Sequence, residues 1–467
     1  MSLNFTDIQG YEVTDLKAAQ DLIDLLVERL KKLEAALAAE RKTSTTSHKP
    51  PSSDIVKPVG EQRQKGRKAG AQKGHKRQSR ILLPLEQVDI VVEDELENCP
   101  TCHVALSKQR QEEVLRHQVA ELVDKPVITT EYRRYGHICP CCEVVIYPGL
   151  PNEVANSVCG ERLQALIGYM KGKLGISYSE LKDLCGDVLG FDISRGALCD
   201  SVKRVSAALK RPYEHLARNV AKQKTLNVDE TGWRDSGSCY WVWVFCNQLI
   251  AFFTISHSRG RTVLEQTLGS TFRGALTSDF YSAYVAYANE QQQYCLAHLI
   301  RDIKFLVTLP DRGSRVFGTK LLGYLRRLFR LWHRRDEYEQ RALQRKASRI
   351  TSELQDYLAS AMPRGDDAAR IQKRMLKHWH RLFCFIDNPS LYEPTNNRAE
   401  RALRGLIRIR RQTQGSRSLA GRQWNARIIT VVETCKLQGI NPWQFLNQAI
   451  RAHLGNKDYP SLVPQVA

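Results

Sequence analysis

Three acidic residues stand where metal-dependent chemistry on phosphate esters would need them. Asp229 lies in the run T-L-N-V-D-E-T-G-W-R from Thr225 to Arg234. Thr225, Leu226 and Val228 suit a strand and Gly232 suits the turn after it, so the pattern predicts a carboxylate at a strand end, facing a cleft. On its own, an aspartate there is more often a turn residue or helix cap. A second run, G-A-L-T-S-D-F-Y-S-A-Y from Gly274 to Tyr284, repeats the geometry and ends its apolar stretch in Ser278-Asp279. Neighbouring strands that each finish in Asp can set two carboxylates side by side, a spacing suited to bridging divalent cations. The third acid is Glu400, in T-N-N-R-A-E-R-A-L-R from Thr395 to Arg404, at the predicted start of a helix. Asn397 with Glu400 three residues later also fits a capping box, in which the glutamate would only satisfy backbone donors. Eight arginines fall between Arg398 and Arg422 with Glu400 the sole acid among them, a pattern that suits a phosphate backbone passing a metal site.

The strings D-E-T-G-W-R, S-D-F-Y-S-A-Y and N-N-R-A-E-R-A-L-R, in that order, resemble the three acid motifs of the DDE transposases of the insertion-sequence sixty-six family, the large TnpC-type protein. The resemblance runs from the amino-terminal coil to about residue 454. It implies an α/β chain with a ribonuclease H-like mixed-sheet catalytic domain, in which Asp229, Asp279 and Glu400 hold two Mg²⁺ or Mn²⁺ ions. It further implies a DNA transposase of a bacterial insertion sequence, acting in the cytoplasm on double-stranded DNA, with small accessory proteins encoded by the same element.

The elements that must position these acids can be read along the chain. At 467 residues a single domain is not expected, and 42% hydrophobic residues are ample for a sizeable core. A net charge of +20 and a pI near 9.4 point to a polyanionic partner. No signal peptide or membrane span is expected, because the most apolar stretch, Tyr240 to Ile255, is interrupted by Asn247 and Gln248. Residues 1–42 hold a helix with Leu16, Ala19, Ile23, Leu26, Leu30, Leu33 and Leu37 at alternating spacings of three and four. That is a coiled-coil seam and predicts a homodimer or higher oligomer, an amphipathic helix packed on its own chain being the other reading. Residues 43–85 form a basic linker: from Arg41 to Arg80 there are twelve Lys or Arg against two acids and almost nothing apolar. Its run G-R-K-A-G-A-Q-K-G-H-K-R resembles the family's glycine-rich basic motif without the usual prolines, and makes Arg67, Lys68, Lys73, Lys76 and Arg77 candidate DNA contacts.

Residues 86–155 carry Cys99-Pro-Thr-Cys102 and Cys139-Pro-Cys-Cys142, two knuckles that offer four thiolates to a tetrahedral structural Zn²⁺ in a zinc-ribbon-like module. The β-prone run from Val123 to Tyr135 is expected to supply strands. Cys141 is an extra thiol in the second knuckle, and His103 and His137 are reserve ligands. Residues 156–220 read as helices resembling a helix-turn-helix, broken at Gly175 and Gly190, with Arg195, Lys203 and Arg204 as candidate DNA contacts; a helical connector with a basic face fits the sequence equally. Residues 221–298 should hold the first part of the catalytic domain: the Asp229 strand, a hairpin of Tyr240–Cys246 and Leu249–Ile255, a helix from Arg261 to Leu268, the Asp279 strand, a helix from Ala283, and a short strand before Cys295-Leu-Ala-His298. Trp233, Trp241 and Trp243 read as core residues, Trp233 being the one that could reach substrate. Cys295 and His298 match a C-x-x-H motif of the family, whose role is left open. Residues 299–392 read as a charged helical insertion. Residues 393–467 complete the catalytic domain, with Glu400, the further DNA-contact candidates Arg398, Arg401 and Arg404, and two short helices at Ile428–Val432 and Trp443–Ile450. No P-loop, G-x-S-x-G or dinucleotide fingerprint occurs. Two other readings share part of the pattern. A transposase-derived DNA-binding regulator that no longer cuts need not retain all three acids. A structure-specific nuclease would share them without needing the coil, the cysteine module and the helical region together.

Overall fold

The computed structural model describes residues 16–40, 82–93, 96–106, 116–124, 126–151, 157–287, 291–363, 365–455 and 457–464. The basic-linker candidates Arg67, Lys68, Lys73, Lys76 and Arg77 lie outside the described residues. The described residues fall into two compact units, one drawn from Met1–Ile55, Tyr132–Val188 and Asp192–Ala467, the other from Val56–Glu131 and Leu189–Phe191.

Helix α1 (Leu16–Glu40) leaves Leu16, Ile23, Leu26, Leu30 and Leu33 exposed along its length. Two-residue strands β1 (His137–Ile138) and β2 (Val145–Ile146) pair antiparallel around the second cysteine knuckle. The expected strands between Val123 and Tyr135 do not form among the described residues. Among the described residues of the cysteine region, pairing is confined to β1, β2 and a bridge from Asn98 to Ala105, because each knuckle is clasped by the few residues that flank it.

Helices α2 (Glu161–Tyr169), α3 (Tyr178–Asp187), α4 (Arg195–Ala208) and α5 (Lys210–Val220) occupy the region read as helical. One π-helical turn, Met170–Leu174, extends α2 and ends at Gly175, whose φ of 78° only glycine adopts cheaply. Ser177 caps α3 through a capping box with Glu180, and Ser194 caps α4.

The larger unit holds a mixed five-stranded sheet of β3 (Thr225–Asp235), β4 (Ser238–Cys246), β5 (Ala251–Ser256), β6 (Ala275–Ser278) and β7 (Gln292–Tyr294), in the order β5-β4-β3-β6-β7. β3, β4 and β5 pair antiparallel, whereas β6 and β7 continue the sheet in parallel with β3. Successive strand residues are buried on both faces of the sheet, with Leu226, Val228, Val244, Trp243, Phe245 and Phe253 fully buried. The strand carrying Asp229 does not stop there: β3 runs on through Gly232 to Asp235, held by nine residue pairs with β4. The turn falls instead at Ser236-Gly237, both at positive φ, as a tight hairpin requires. α6 (Arg261–Leu268) and α7 (Ser282–Tyr287) lie between β5 and β7 in sequence.

α8 (Leu296–Thr308), α9 (Arg312–His333), α10 (Gln340–Ser360), α11 (Asp366–Lys377) and α12 (Cys384–Asp387) form the insertion. Leu299, Leu325, Leu354, Met375 and Phe385 share one apolar core, so its amphipathic helices bury a seam of their own beneath the charged faces. α13 (Asn397–Thr413) returns to the sheet against β3 and β4. α14 (Leu419–Leu437) and α15 (Pro442–Leu454) close the chain. α14 is a 19-residue helix, longer than the β-branched run Ile428–Val432 suggests. Its Thr430 and Thr434 hydroxyls accept from the Phe253 and Ala251 N–H groups at 2.9 and 3.1 Å, covering the edge strand β5.

Candidate active site

The strand register brings the two aspartates to one level. Asn227 of β3 stands opposite Thr277 of β6 in parallel pairing. Two residues further on, the chains carry Asp229 and Asp279. A step of two returns each side chain to the same face of the pleat, and neighbouring strands lie about 4.8 Å apart. Asp279 follows the last residue of β6 and accepts the Tyr281 N–H at 2.8 Å. Asp229 sits inside β3 and accepts the Glu230 N–H at 2.9 Å.

Glu400 stands in the first turn of α13, but not as a capping residue. The helix is preceded by Asn396, whose side chain makes no cap bond, and Asn397 is exposed. No capping box forms, because Asn396 is drawn inward by the sheet and the Glu400 carboxylate turns to α8. There Arg301 Nη2 donates to Glu400 Oε1 at 3.0 Å, and His298 Nε2 lies 3.7 Å from the same oxygen. Asn396 is fully buried: its Nδ2 donates to the Val228 carbonyl at 2.7 Å, and its Oδ1 accepts from Asn227 Nδ2 at 3.1 Å. Its backbone N–H points at Cys295 Sγ, 3.0 Å away, and the neighbouring Leu296 N–H donates to the Pro394 carbonyl at 2.9 Å. The glutamate helix is thus pinned at its start to the residue before Asp229. The Cys295 thiol, buried beneath this junction, is pushed up to about 12 by desolvation, which suits a packing group.

The far end of α13 is pinned as well. Trp233 is buried, and its Nε1 donates to Ser416 Oγ at 3.0 Å, while Ser416 Oγ donates to Asp235 Oδ1 at 2.6 Å. Arg422 pairs with the other oxygen of Asp235. Trp233 therefore orients the loop after α13 and is buried; its indole N–H needs a partner in the core, and Ser416 is that partner.

Burial, followed by the charges of Glu230, Asp279 and Glu400, pushes the Asp229 carboxyl well above the usual carboxylate range. Burial and Asp279 likewise raise Glu230, whose carboxylate accepts from Tyr284 Oη and from Arg259. Among the described residues no three His, Cys, Asp or Glu side chains are drawn close enough to hold a metal ion. The donor chemistry nevertheless fits a divalent cation. Half-buried carboxylates, with that of Asp229 raised by the charges of Glu230, Asp279 and Glu400, are relieved by a hard cation that prefers oxygen ligands. Glu230, Tyr284, Arg259, Arg301 and Asn396 were missed as members of the site. The acidic doublet in D-E-T-G-W-R and the paired asparagines in N-N-R-A-E-R are the signals that could have found two of them.

The other candidates are placed as follows. Cys99 and Cys139 each accept backbone bonds within their own knuckle, and the amides of Cys102 and Thr101, and of Cys142 and Cys141, hold the two thiols below the ordinary thiol range. The turns match: His103 and Glu143 take positive φ and donate to the Cys99 and Cys139 carbonyls at 2.8 and 2.9 Å. Such amide-lined knuckles suit thiolate ligands. Arg195 is exposed at the start of α4, Lys203 pairs with Asp200, and Arg204 is directed inward to Gln164 and Ser157. Arg398 pairs with Glu393, while Arg401 and Arg404 are exposed on α13. Glu433 pairs with Lys173.

Residues 156–423 match the Transposase IS66 family, well over half of the chain and including all three acids. The chain belongs to this transposase family. It is also similar to an uncharacterized protein, y4hP, of Sinorhizobium fredii, with 24% identity over 294 residues, 55% of this chain and 53% of that protein. The chain spans about half the length of that curated relative. The family match begins with the helices before the sheet and ends in the first turn of α14, so the segment that carries Glu400 and both pins of α13 falls within it.

Proposed function

We propose that this IS66-family chain binds the ends of its own element, cuts a DNA strand there and joins the freed end to target DNA. The observation that carries the reading is that Asp229 and Asp279 each follow by two residues the Asn227–Thr277 pair of the parallel strands β3 and β6, with the charges of Asp279 and Glu400 both felt at Asp229. Mg²⁺ or Mn²⁺ bound by Asp229, Asp279 and Glu400, two ions per site, would activate the attacking water and then the 3′ hydroxyl. The chain's own residues do the positioning. Asn396 ties the Glu400 helix to β3, Arg301 and His298 orient the glutamate, and Arg401 and Arg404 line the helix face that leads away from it. A sheet of three antiparallel strands extended by two parallel ones supports a ribonuclease H-like reading of the catalytic domain.

The same proposal assigns a structural Zn²⁺ to Cys99, Cys102, Cys139 and Cys142, and pairing of α1 between copies to hold two ends together. Its setting is the bacterial cytoplasm, with accessory proteins of the element as further partners; among the described residues no helix is long and apolar enough to cross a membrane. The test is Mg²⁺-dependent cleavage of a duplex carrying the terminal inverted repeat that flanks the gene. Glu400→Gln should abolish cleavage and strand transfer while end binding persists, with Asp229→Asn and Asp279→Asn as inactive controls. Near wild-type cleavage by Glu400→Gln would remove Glu400 from the site. Binding without cleavage by the unaltered chain would favour a DNA-binding regulator.

A further inference from the structure

We infer that Arg259, clasped between Trp241 and Tyr281 and tethered to Glu230, contacts a phosphate of the DNA strand beside the acid site. The inference deepens the transposase reading and rests on it. Arg259 Nε and Nη2 donate to Glu230 Oε1 at 3.0 and 2.9 Å. Its guanidinium lies 4.3 Å from the centroid of the Trp241 ring and 4.1 Å from that of Tyr281. Two aromatic faces and an ion pair fix the plane of a side chain that is otherwise among the most mobile.

The loop that bears it is fixed too. Trp243 Nε1 donates to the Ser258 carbonyl at 3.2 Å, and the Gly260 N–H donates to Ser258 Oγ at 2.9 Å. Glu230 is 2% exposed at its side chain, whereas Arg259 is 41% exposed. The anion of the pair is inside and the cation stands at the surface. A guanidinium has five N–H donors. Two serve Glu230, and the remaining three have no protein acceptor among the described residues.

Its place relative to the chemistry follows from its neighbours. Tyr281, whose ring lies against Arg259, donates its N–H to Asp279 Oδ1, and the Asp279 charge is felt at Glu230, the partner of Arg259. Tyr281 is two residues beyond Asp279, a chain distance of about 7 Å at most. Free donors in a preset plane on the Asp279 side of the acid site suit the non-bridging oxygens of a phosphodiester, which a guanidinium binds in fork geometry. In this arrangement Glu230 is a positioning residue, and it explains why an acid not needed as a metal ligand is buried there.

The test couples the side chain to a single phosphate. Arg259→Ala alone would leave Glu230 buried without its cation, so the variant used is Glu230→Gln with Arg259→Gln, which removes both charges together. Arg259→Lys is the second variant: it keeps a cation for Glu230 but loses the fork. Full-length protein is assayed in Mg²⁺ on the terminal-repeat duplex, with the phosphates flanking the cut replaced one at a time by neutral methylphosphonate. At one position the replacement should slow the unaltered protein about 10- to 100-fold, the range of a charge-assisted hydrogen bond, and should scarcely slow the double Gln variant further. Arg259→Lys should fall between them at that position and match the unaltered protein elsewhere. Equal sensitivity of all three proteins at every phosphate overturns the contact while leaving the transposase reading intact. Absence of Mg²⁺-dependent cleavage by the unaltered protein overturns both.

Discussion

Replacing Asn396 by alanine should loosen the junction on which the candidate site depends. The side chain is fully buried and makes two hydrogen bonds, from Nδ2 to the Val228 carbonyl and to Oδ1 from Asn227. Alanine removes both and leaves a buried carbonyl and a buried amide without these partners. At about 1–2 kcal/mol for each stranded group, the loss is about 2–4 kcal/mol. All seven tryptophans lie between Trp233 and Trp443, so their fluorescence reports on the body that holds the sheet. With a urea dependence of about 3 kcal/mol/M, the fluorescence midpoint of the full-length protein should fall by about 1 M. Asn396→Asp separates this account from simple loss of volume. The carboxylate keeps an acceptor for Asn227 but faces the Val228 carbonyl with a second acceptor and buries a charge, so it should be worse than alanine. Both variants should also lose DNA cleavage beyond what their stability predicts, because the start of the Glu400 helix is no longer tied to the Asp229 strand. A midpoint shift below about 0.3 M for alanine, or a milder effect for aspartate than for alanine, would refute the reasoning.

Metal analysis of the purified chain should find about one zinc, and a chelator or Cys99→Ser should release it together with the protease resistance of the cysteine region; folded protein without zinc would exclude the assignment. Removing residues 1–42 should lower the mass measured by light scattering, since it removes the helix whose Leu16, Ile23, Leu26, Leu30 and Leu33 are exposed in the single chain, and an unchanged mass would locate the interface elsewhere. Thr430→Val keeps the shape of α14 but strands the Phe253 amide, and should cost about 1–3 kcal/mol in the same urea assay, against near zero if water replaces the hydroxyl.

Period and punctuation made most of the elements legible. The 240–255 run reads as a hairpin because two β-prone apolar runs flank a polar break at Asn247-Gln248, and β4 and β5 pair there. Gly175 and Gly190 mark helix ends because positive φ is a local demand of the backbone. The limits of this local logic show at Gly232 and at Val123–Tyr135. Glycine also tolerates extended backbone, and β4 supplied a partner that kept β3 going through Gly232 to Asp235. β-propensity between Val123 and Tyr135 found no neighbouring strand among the described residues, so it produced no pairing.

The candidate site divides in the same way. Residue type and position at a strand end or helix start made Asp229, Asp279 and Glu400 candidates, and the resemblance of their three motifs, in order, tied them together. Their relation was decided by contacts between segments 50 to 170 residues apart: the β3–β6 register, Asn396 against Val228, and Arg301 against Glu400. The same holds for Trp233, whose indole meets a serine 183 positions away, and for Glu230, whose two partners, Arg259 and Tyr284, come from separate loops and helices. The sequence by itself determined which segments could be strands or helices and which side chains could carry charge to a metal or a phosphate, because both are properties of a residue and its near neighbours. Only the tertiary structure decided which carboxylates share a face and which are diverted to ion pairs, because burial and pairing depend on what distant segments bring into contact.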